Sequence, residues 1–158
     1  MVRSLLNKVT SWVKNYRFCW NGLKPRMNKG DLITDTQELF YRRAYRTDKK
    51  YVDPKTGNFI SRAFTPRPKK DDGQLSVDLA RLTTPEAAVK DLKRFAIAEV
   101  QNSDILDLGL KSIYDPVEGN GLPENLAHCL ICCIDEDDES IAGILARKSK
   151  RIYFEENG

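Results

Sequence analysis

The chain has 158 residues, of which 41% are hydrophobic and 31% charged, and these values are typical of one globular domain. The net charge is +3, and no apolar run approaches the roughly 18 residues that a membrane-spanning helix needs. Lysines and arginines interrupt the N-terminus, so we expect no secretory signal, and we predict a cytoplasmic protein whose four cysteines are reduced.

Basic residues are concentrated at the N-terminus. The first 30 residues contain seven lysines and arginines and no acidic residue, whereas the remainder contains 19 basic and 23 acidic residues. Apolar residues between positions 2 and 18 follow helical spacing, which predicts an amphipathic helix, and residues 21–38 are interpreted as a connection. We therefore divide the chain into a basic arm with its linker, residues 1–38, and a compact domain, residues 39–158.

Short apolar runs separated by turn signals predict a sheet within the domain. The predicted strands comprise residues 39–46, 59–64, 74–78, 108–114, 126–134 and 152–154. Between 126 and 134 the chain has its most apolar run, which is typical of a central strand.

Two helices are predicted among these strands. Thr83 or Thr84, followed by Pro85, predicts the start of a helix that runs to about Val100. A second helix is predicted near residues 141–150, with acidic residues before it and basic residues at its end. Helices and strands do not alternate strictly. We therefore predict an α+β fold with a mixed or antiparallel sheet and two packed helices, in addition to the N-terminal amphipathic helix.

The segment from His128 to Cys133 contains a C-x-x-C motif, a spacing that is common in zinc sites. Side chains alternate along a strand, so Cys129 and Cys133 are expected on one face, and His128 and Cys132 on the other. A zinc site needs about four ligands, and the sequence has no second cluster of cysteine and histidine. We therefore predict no metal site and no cofactor, and we interpret the cysteines as core residues.

Catalytic residues are not marked by a motif. The sequence contains no P-loop, no dinucleotide fingerprint and no nucleophile elbow. His128 is the only histidine, and it is either a general base or a half-buried structural side chain. His128 is therefore one catalytic candidate.

Arginines are frequent in and beside the first predicted strands, and they are the candidates for ligand binding. Arg42 and Arg43 are adjacent in a strand and must face opposite sides, so one of them is expected to point inward. An inward arginine either pairs with a carboxylate such as Asp78 or binds an anionic ligand. The candidate ligand-binding residues are Arg42, Arg43, Arg62, Arg67 and Arg81.

Several short segments resemble an uncharacterised bacterial protein family over about residues 39–150. The segments that carry this resemblance are Leu39-Phe-Tyr-Arg-Arg43, Ser61-x-Ala-Phe64, Pro66-Arg-Pro68, Leu75-Ser-Val-Asp78, Thr84-Pro-Glu86, Asp115-Pro116 and Asn125-x-Ala-His128. This resemblance implies a bacterial or phage source.

The order of elements is also similar to that of ADP-ribosyltransferase-like domains, including RES-type NAD-degrading toxins. The similarity consists of an arginine on the first strand, a serine on a following strand and a helix after it. It implies that Arg43 and Ser76 occupy the matching places in a site of that kind, which makes them catalytic candidates together with His128.

Three functions from different classes stay open on these observations. The first is an accessory protein that binds a protein partner, or a second copy of the chain, through residues 1–30, because a lone amphipathic helix is marginal in water. The second is an enzyme that acts on a nucleotide or another phosphorylated substrate. The third is nucleic-acid binding through the basic N-terminus, whose tryptophans and tyrosine are suited to base stacking.

Overall fold

The structure, a computed structural model, describes residues 26–119, 121–135 and 137–155. The amphipathic helix predicted over residues 2–18 lies outside these ranges, and its interaction with a partner therefore stays a prediction. None of the helices in the described ranges has the length and apolar character that crossing a bilayer requires.

A six-stranded antiparallel sheet forms the centre of the domain, with the strand order β4-β5-β2-β1-β3-β6. The predicted α+β fold is therefore confirmed. Strands β1, β2, β5 and β6 lie within two residues of their predicted positions. The strands are β1 (Leu39–Tyr45), β2 (Leu75–Leu79), β3 (Phe95–Gln101), β4 (Lys111–Tyr114), β5 (His128–Cys132) and β6 (Lys150–Ile152).

Three helices accompany the sheet in the described ranges: α1 (Pro85–Val89), α2 (Asn102–Asp107) and α3 (Glu139–Lys148). Thr84 is the N-cap of α1, since its hydroxyl accepts a hydrogen bond from the Ala87 amide at 3.3 Å. The carboxylate of Asp138 caps α3 in the same manner, and basic residues in the last turn of α3 stabilise its negative end. The capping residues therefore determine where both helices begin.

The helix that begins at Pro85 is much shorter than predicted. It ends at Val89, because Lys90 adopts a left-handed backbone conformation with a φ of 63°. The predicted continuation to Val100 is wrong, since the residues from Phe95 onward form β3. Three consecutive residues of β3 are buried, which means that both faces of the strand are covered. Such a run lacks the alternation that distinguishes a strand from a helix in sequence.

Residues 59–64 do not form the predicted strand. Ser61–Phe64 is a 3₁₀ turn, and the adjacent side chains of Ala63 and Phe64 are both buried. In a strand these two side chains would point to opposite faces, whereas the tighter 3₁₀ backbone lets both pack toward α3 and the core. The prediction failed because packing against α3 is a long-range interaction.

A short helix, α2, lies between β3 and β4 and was not predicted. Leu110 donates its backbone N–H to the carbonyl of Ile105 at 3.2 Å, and Gly109 adopts a φ of 74°, a conformation that glycine accepts without strain. The chain therefore leaves the helix before the strand starts, and β4 begins at Lys111 rather than at the predicted Leu108.

The main core lies on one face of the sheet. Side chains that alternate along the strands point to this face, where α3 and the Ser61–Phe64 turn cover them. The fully buried members include Phe40, Phe64, Leu79, Ala98, Ile105, Cys129, Ile131 and Leu145. On the opposite face, α1 covers a smaller cluster composed of Tyr41, Ala88, Val89 and Ile97. The second face therefore has much less apolar cover than the first.

The end of the predicted linker is attached to the edge of the sheet. Residues 30–33 run beside β4, where Ile33 donates its N–H to the carbonyl of Ser112 at 2.8 Å. The buried side chain of Asn102 then donates to the carbonyls of Ile33 and Asp35 and accepts from the Ser112 hydroxyl. Every polar atom of this amide is satisfied, so Asn102 holds the entry segment against β4.

Candidate functional site

The sheet divides between β1 and β2. Strand β1 pairs with β3 along its whole length, whereas it pairs with β2 only at Phe40 and Tyr41. The backbones then diverge, and β2 continues as a partner of β5 to Leu75. Backbone groups in this gap need other hydrogen-bond partners. We call the gap, formed by residues 42–44 of β1 and 75–77 of β2, the sheet fork.

The side chain of Arg42 occupies the sheet fork. Its Nε donates to the Ala63 carbonyl at 2.9 Å, and its Nη1 donates to the Ser76 carbonyl at 2.9 Å. The guanidinium thus holds the 3₁₀ turn and β2 in place where strand pairing is lost. Burial lowers the pKa of Arg42 to about 10, so the side chain is still charged at neutral pH. Of the two alternatives for an inward arginine, a carboxylate pair is not found among the described residues: the partners of Arg42 are backbone carbonyls, and Asp78 accepts from the amide of Asn125 at 2.8 Å.

Arg43 points to the opposite face of the sheet. Its Nη1 donates to the Ala88 carbonyl at 2.9 Å, and its Cζ lies 5.3 Å from the ring centroid of Phe95. These contacts orient the guanidinium, because an arginine over an aromatic face is attracted by the ring quadrupole. Among the described residues, no carboxylate forms an ion pair with Arg43. Its other N–H groups are therefore available to a ligand.

Four arginines line one cleft of about 230 Å³ at the sheet fork. Arg67 forms a bidentate ion pair with Asp71, with Nη2 at 2.7 Å from Oδ1, and this contact lowers the pKa of the Asp71 carboxyl. Within the described residues, Arg42, Arg43 and Arg62 have no such carboxylate partner. We call this space the fork cleft, and its polar and aromatic lining includes Tyr45, Tyr51, Thr65, Gln74, Ser76 and Phe95.

A second cleft, of about 290 Å³, adjoins the fork cleft on the open face of the sheet. It is bounded by the loop of residues 117–125, and we call it the loop cleft. Both clefts are lined by Arg42, Arg43 and Ser76, and the loop cleft adds Asp78 and His128. The three catalytic candidates, Arg43, Ser76 and His128, therefore all line the loop cleft.

His128 has a fixed ring orientation at the edge of the loop cleft. Its Nδ1 lies 2.6 Å from the backbone carbonyl of Asp115 and 3.4 Å from a carboxylate oxygen of the same residue. A carbonyl oxygen only accepts, so Nδ1 carries the proton, and Nε2 is the acceptor atom of the neutral ring. His128 can therefore accept a hydrogen bond in the cleft through Nε2.

Arg81, the fifth ligand-binding candidate, lies elsewhere. Its Nε donates to Oε1 of the buried Glu38 at 2.8 Å, and it lines a different surface depression beside Tyr114. Four of the five candidate arginines therefore line the fork cleft, whereas Arg81 forms a structural ion pair.

Several residues of the two clefts were missed by sequence reasoning. Tyr51 and Tyr45 line the fork cleft, and Lys90 and Asn125 line the loop cleft. None of them carries a sequence signal. Lys90 was placed inside the predicted helix that ends at Val89 in the structure, and the positions of the others depend on which strands pair and where the pairing stops.

The cysteines are distributed differently from the prediction. Cys129 is buried on the core face, and burial raises the pKa of its thiol to about 12. Cys132 is also buried, on the other face. The prediction that Cys133 shares a face with Cys129 is wrong, because β5 ends at Cys132 and Cys133 is exposed with a φ of 73°. No group of three or more metal-ligating side chains occurs among the described residues.

Taken together, the fold and the clefts define an α+β domain with an arginine-lined depression where its antiparallel sheet divides. Comparison with protein-family models, with curated proteins and with solved structures gave no match to this chain. The resemblance to an uncharacterised bacterial family and the similarity to ADP-ribosyltransferase-like domains therefore stay predictions.

Proposed function

We propose that this domain binds a small phosphate-bearing ligand in the fork cleft. The observation that carries the proposal is that Arg42, Arg43 and Arg62 line one cleft and that none of them has a carboxylate partner among the described residues. Guanidinium groups match the geometry of phosphate oxygens and form charge-assisted hydrogen bonds with them. Binding of an anion is therefore the function that best accounts for this arrangement.

The charge of the cleft supports an anionic ligand. Four arginines and one aspartate line it, which leaves a net charge of about +3 within a small volume. Arg42 is also partly desolvated, and its lowered pKa of about 10 reflects the unfavourable burial of its charge. A phosphate beside it would offset that penalty, since an opposite charge favours the charged form. The attraction between Arg42 and the phosphate therefore also favours ligand binding.

The contacts of the arginines further support a prepared site. Arg42 is held by two backbone carbonyls, and Arg43 is held by a carbonyl and by the ring of Phe95. Each guanidinium has five N–H groups, and these contacts use only one or two of them. Side chains that are already oriented lose less conformational entropy when a ligand binds.

The test is a calorimetric titration with inorganic pyrophosphate at low ionic strength. We expect Arg43→Ala to weaken binding about tenfold or more, because a charge-assisted hydrogen bond contributes about 1.5–3 kcal/mol. Arg46→Ala is the matched control, since Arg46 lies directly after β1, donates to the Leu92 carbonyl at 2.7 Å and does not line either cleft.

The control also separates a specific site from general charge attraction. Arg46→Ala removes the same charge from the same strand end, so we expect its affinity to stay within about twofold of the parent protein. An equal loss in both variants, or no binding of pyrophosphate by the parent protein at millimolar concentration, would refute the proposal.

A further inference from the structure

We infer that the phosphate-bearing ligand also carries an organic part with hydroxyl groups, and that this part lies in the loop cleft. The inference rests on the proposed function and specifies the ligand class. Its basis is that the two clefts are adjacent: Arg43 and Ser76 line both, so a ligand anchored on Arg43 lies beside the loop cleft. A sugar phosphate and a nucleoside monophosphate share this chemistry.

The loop cleft has a different hydrogen-bonding character from the fork cleft. Its floor presents the carboxylate of Asp78, one oxygen of which accepts from Asn125. It also presents His128, whose Nδ1 is already engaged by Asp115, so Nε2 is the acceptor of the neutral ring. Acceptors of this kind receive hydrogen bonds from hydroxyl groups. Lys90 also lines this cleft, and its charge balances that of Asp78, whereas the fork cleft adds two arginines and one aspartate to the shared residues. The two clefts therefore prefer the two different ends of one ligand.

The spacing of the strands requires a ligand larger than phosphate. Asp78 on β2 is the cross-strand neighbour of both Tyr41 on β1 and His128 on β5, and neighbouring strands are about 4.8 Å apart, so the two outer backbones are separated by about 10 Å at this level. Arg43 lies two residues further along β1, where β1 and β2 have diverged, so it is at least as far from His128. A molecule that contacts Arg43 and His128 together needs a carbon skeleton in addition to its phosphate.

One wall of the loop cleft is apolar. It is formed by Val117, Leu122 and Pro123 from the loop of residues 117–125. Leu122 is 64% exposed, so its side chain has much apolar surface left to cover. The carbon face of a sugar ring or a nucleobase would cover this surface, whereas an inorganic anion would not. The wall thus favours an organic ligand for a reason independent of the hydrogen bonds.

The inference is tested by comparing three probes on the full-length chain: inorganic phosphate, ribose 5-phosphate and adenosine monophosphate. We expect ribose 5-phosphate to bind at least tenfold more tightly than inorganic phosphate. In His128→Ala this ratio should fall about three- to tenfold, since one neutral hydrogen bond is lost. In Arg43→Ala both affinities should fall together. A further gain for adenosine monophosphate that is lost in Leu122→Ser would identify a nucleotide as the preferred member of the class.

Asp78→Asn is the second variant, in case His128→Ala does not fold, because it keeps the carbonyl oxygen that accepts from Asn125. Asp78→Asn should also lower the ratio of the affinity for ribose 5-phosphate to the affinity for inorganic phosphate. Equal affinities for inorganic phosphate and ribose 5-phosphate, or a ratio that neither variant changes, would overturn the inference while leaving phosphate binding in the fork cleft intact. If no phosphate compound binds, the proposed function fails as well, so the two failures are distinguishable.

Discussion

The two faces of the sheet differ in how they are covered. On the core face, α3 and the Ser61–Phe64 turn enclose a continuous apolar cluster. On the other face, only α1 packs over a small cluster around Tyr41 and Ile97, and Ser76 is exposed. The three catalytic candidates lie on the second face, because side chains alternate between the two faces along each strand. These residues are Arg43, Ser76 and His128.

This difference separates residues that maintain the fold from residues that are available to a ligand. A covered face needs apolar side chains at nearly every position, so a polar residue there must have a structural partner. Arg42 follows this rule, since it alternates with Phe40 on the core side and is held by the carbonyls of Ala63 and Ser76. An open face does not impose this requirement, and Arg43 has unused donors there.

The largest effect is expected from truncating a core residue. Phe64 is fully buried and packs edge-on against Phe59, with ring centroids 6.4 Å apart. Phe64→Ala should lower the free energy of unfolding by about 3–5 kcal/mol, measured by urea denaturation. Leu122→Ser, on the open side, should change it by less than about 0.5 kcal/mol. Similar losses in the two variants would contradict the distinction between the faces.

The neighbouring arginines provide a closer comparison. Arg42→Met should lower the free energy of unfolding by about 2–4 kcal/mol, because it leaves the carbonyls of Ala63 and Ser76 without their donor. Arg43→Ala should lower it by less than about 1 kcal/mol, since it removes one hydrogen bond to Ala88. If Arg43→Ala loses about 3 kcal/mol or more, as when a buried ionic contact is broken, Arg43 is structural and the ligand site loses its main residue.

A smaller effect, dependent on pH, is expected from Cys129 on the core face. Its pKa is raised from 9.0 to about 12, so the folded state keeps a proton that the unfolded state loses as the pH rises above 9. The contribution of this thiol to the free energy of unfolding is complete below that pH. It falls by about 1.4 kcal/mol per pH unit until the pH reaches the pKa of Cys129 in the folded state.

Cys129→Val is the matched control for this effect, because valine is apolar, close in size and does not titrate. Urea denaturation at pH 8 and pH 10 should show a steeper loss of stability in the parent protein than in the variant. Parallel pH profiles would mean that the Cys129 thiol titrates normally in the folded protein.

The class of fold and several of its elements could be predicted because they depend on residues that are close together in the sequence. The capping signal at Thr84 and the apolar run around β5 both depend on nearby residues; α1 begins and β5 lies where expected. The failures at residues 59–64 and 90–100 have long-range causes, namely packing against α3 and coverage of β3 on both faces. Local periodicity does not contain that information.

The sequence indicated several of the residues that line the candidate site but not how the fold arranges them. The density of arginines identified Arg42, Arg43, Arg62 and Arg67, which line one cleft. The sheet fork that brings them together depends on where β1 stops pairing with β2, and strand register cannot be deduced from one strand alone. For the same reason, the sequence did not distinguish Arg81 from the arginines that line the cleft, because its partner Glu38 lies 43 positions away along the chain.

The most direct test of the central claim is to observe the arginine side chains themselves. In nitrogen-15-labelled protein, the Nε–H resonances can be followed by NMR during a titration with inorganic phosphate, with assignments from single Arg→Lys variants. Phosphate binding in the fork cleft predicts saturable shifts of the Nε–H resonances of Arg42 and Arg43 and none for Arg46 or Arg81. Shifts of equal size at all four arginines, or no shift at Arg43, would contradict the claim that the sheet fork is a binding site.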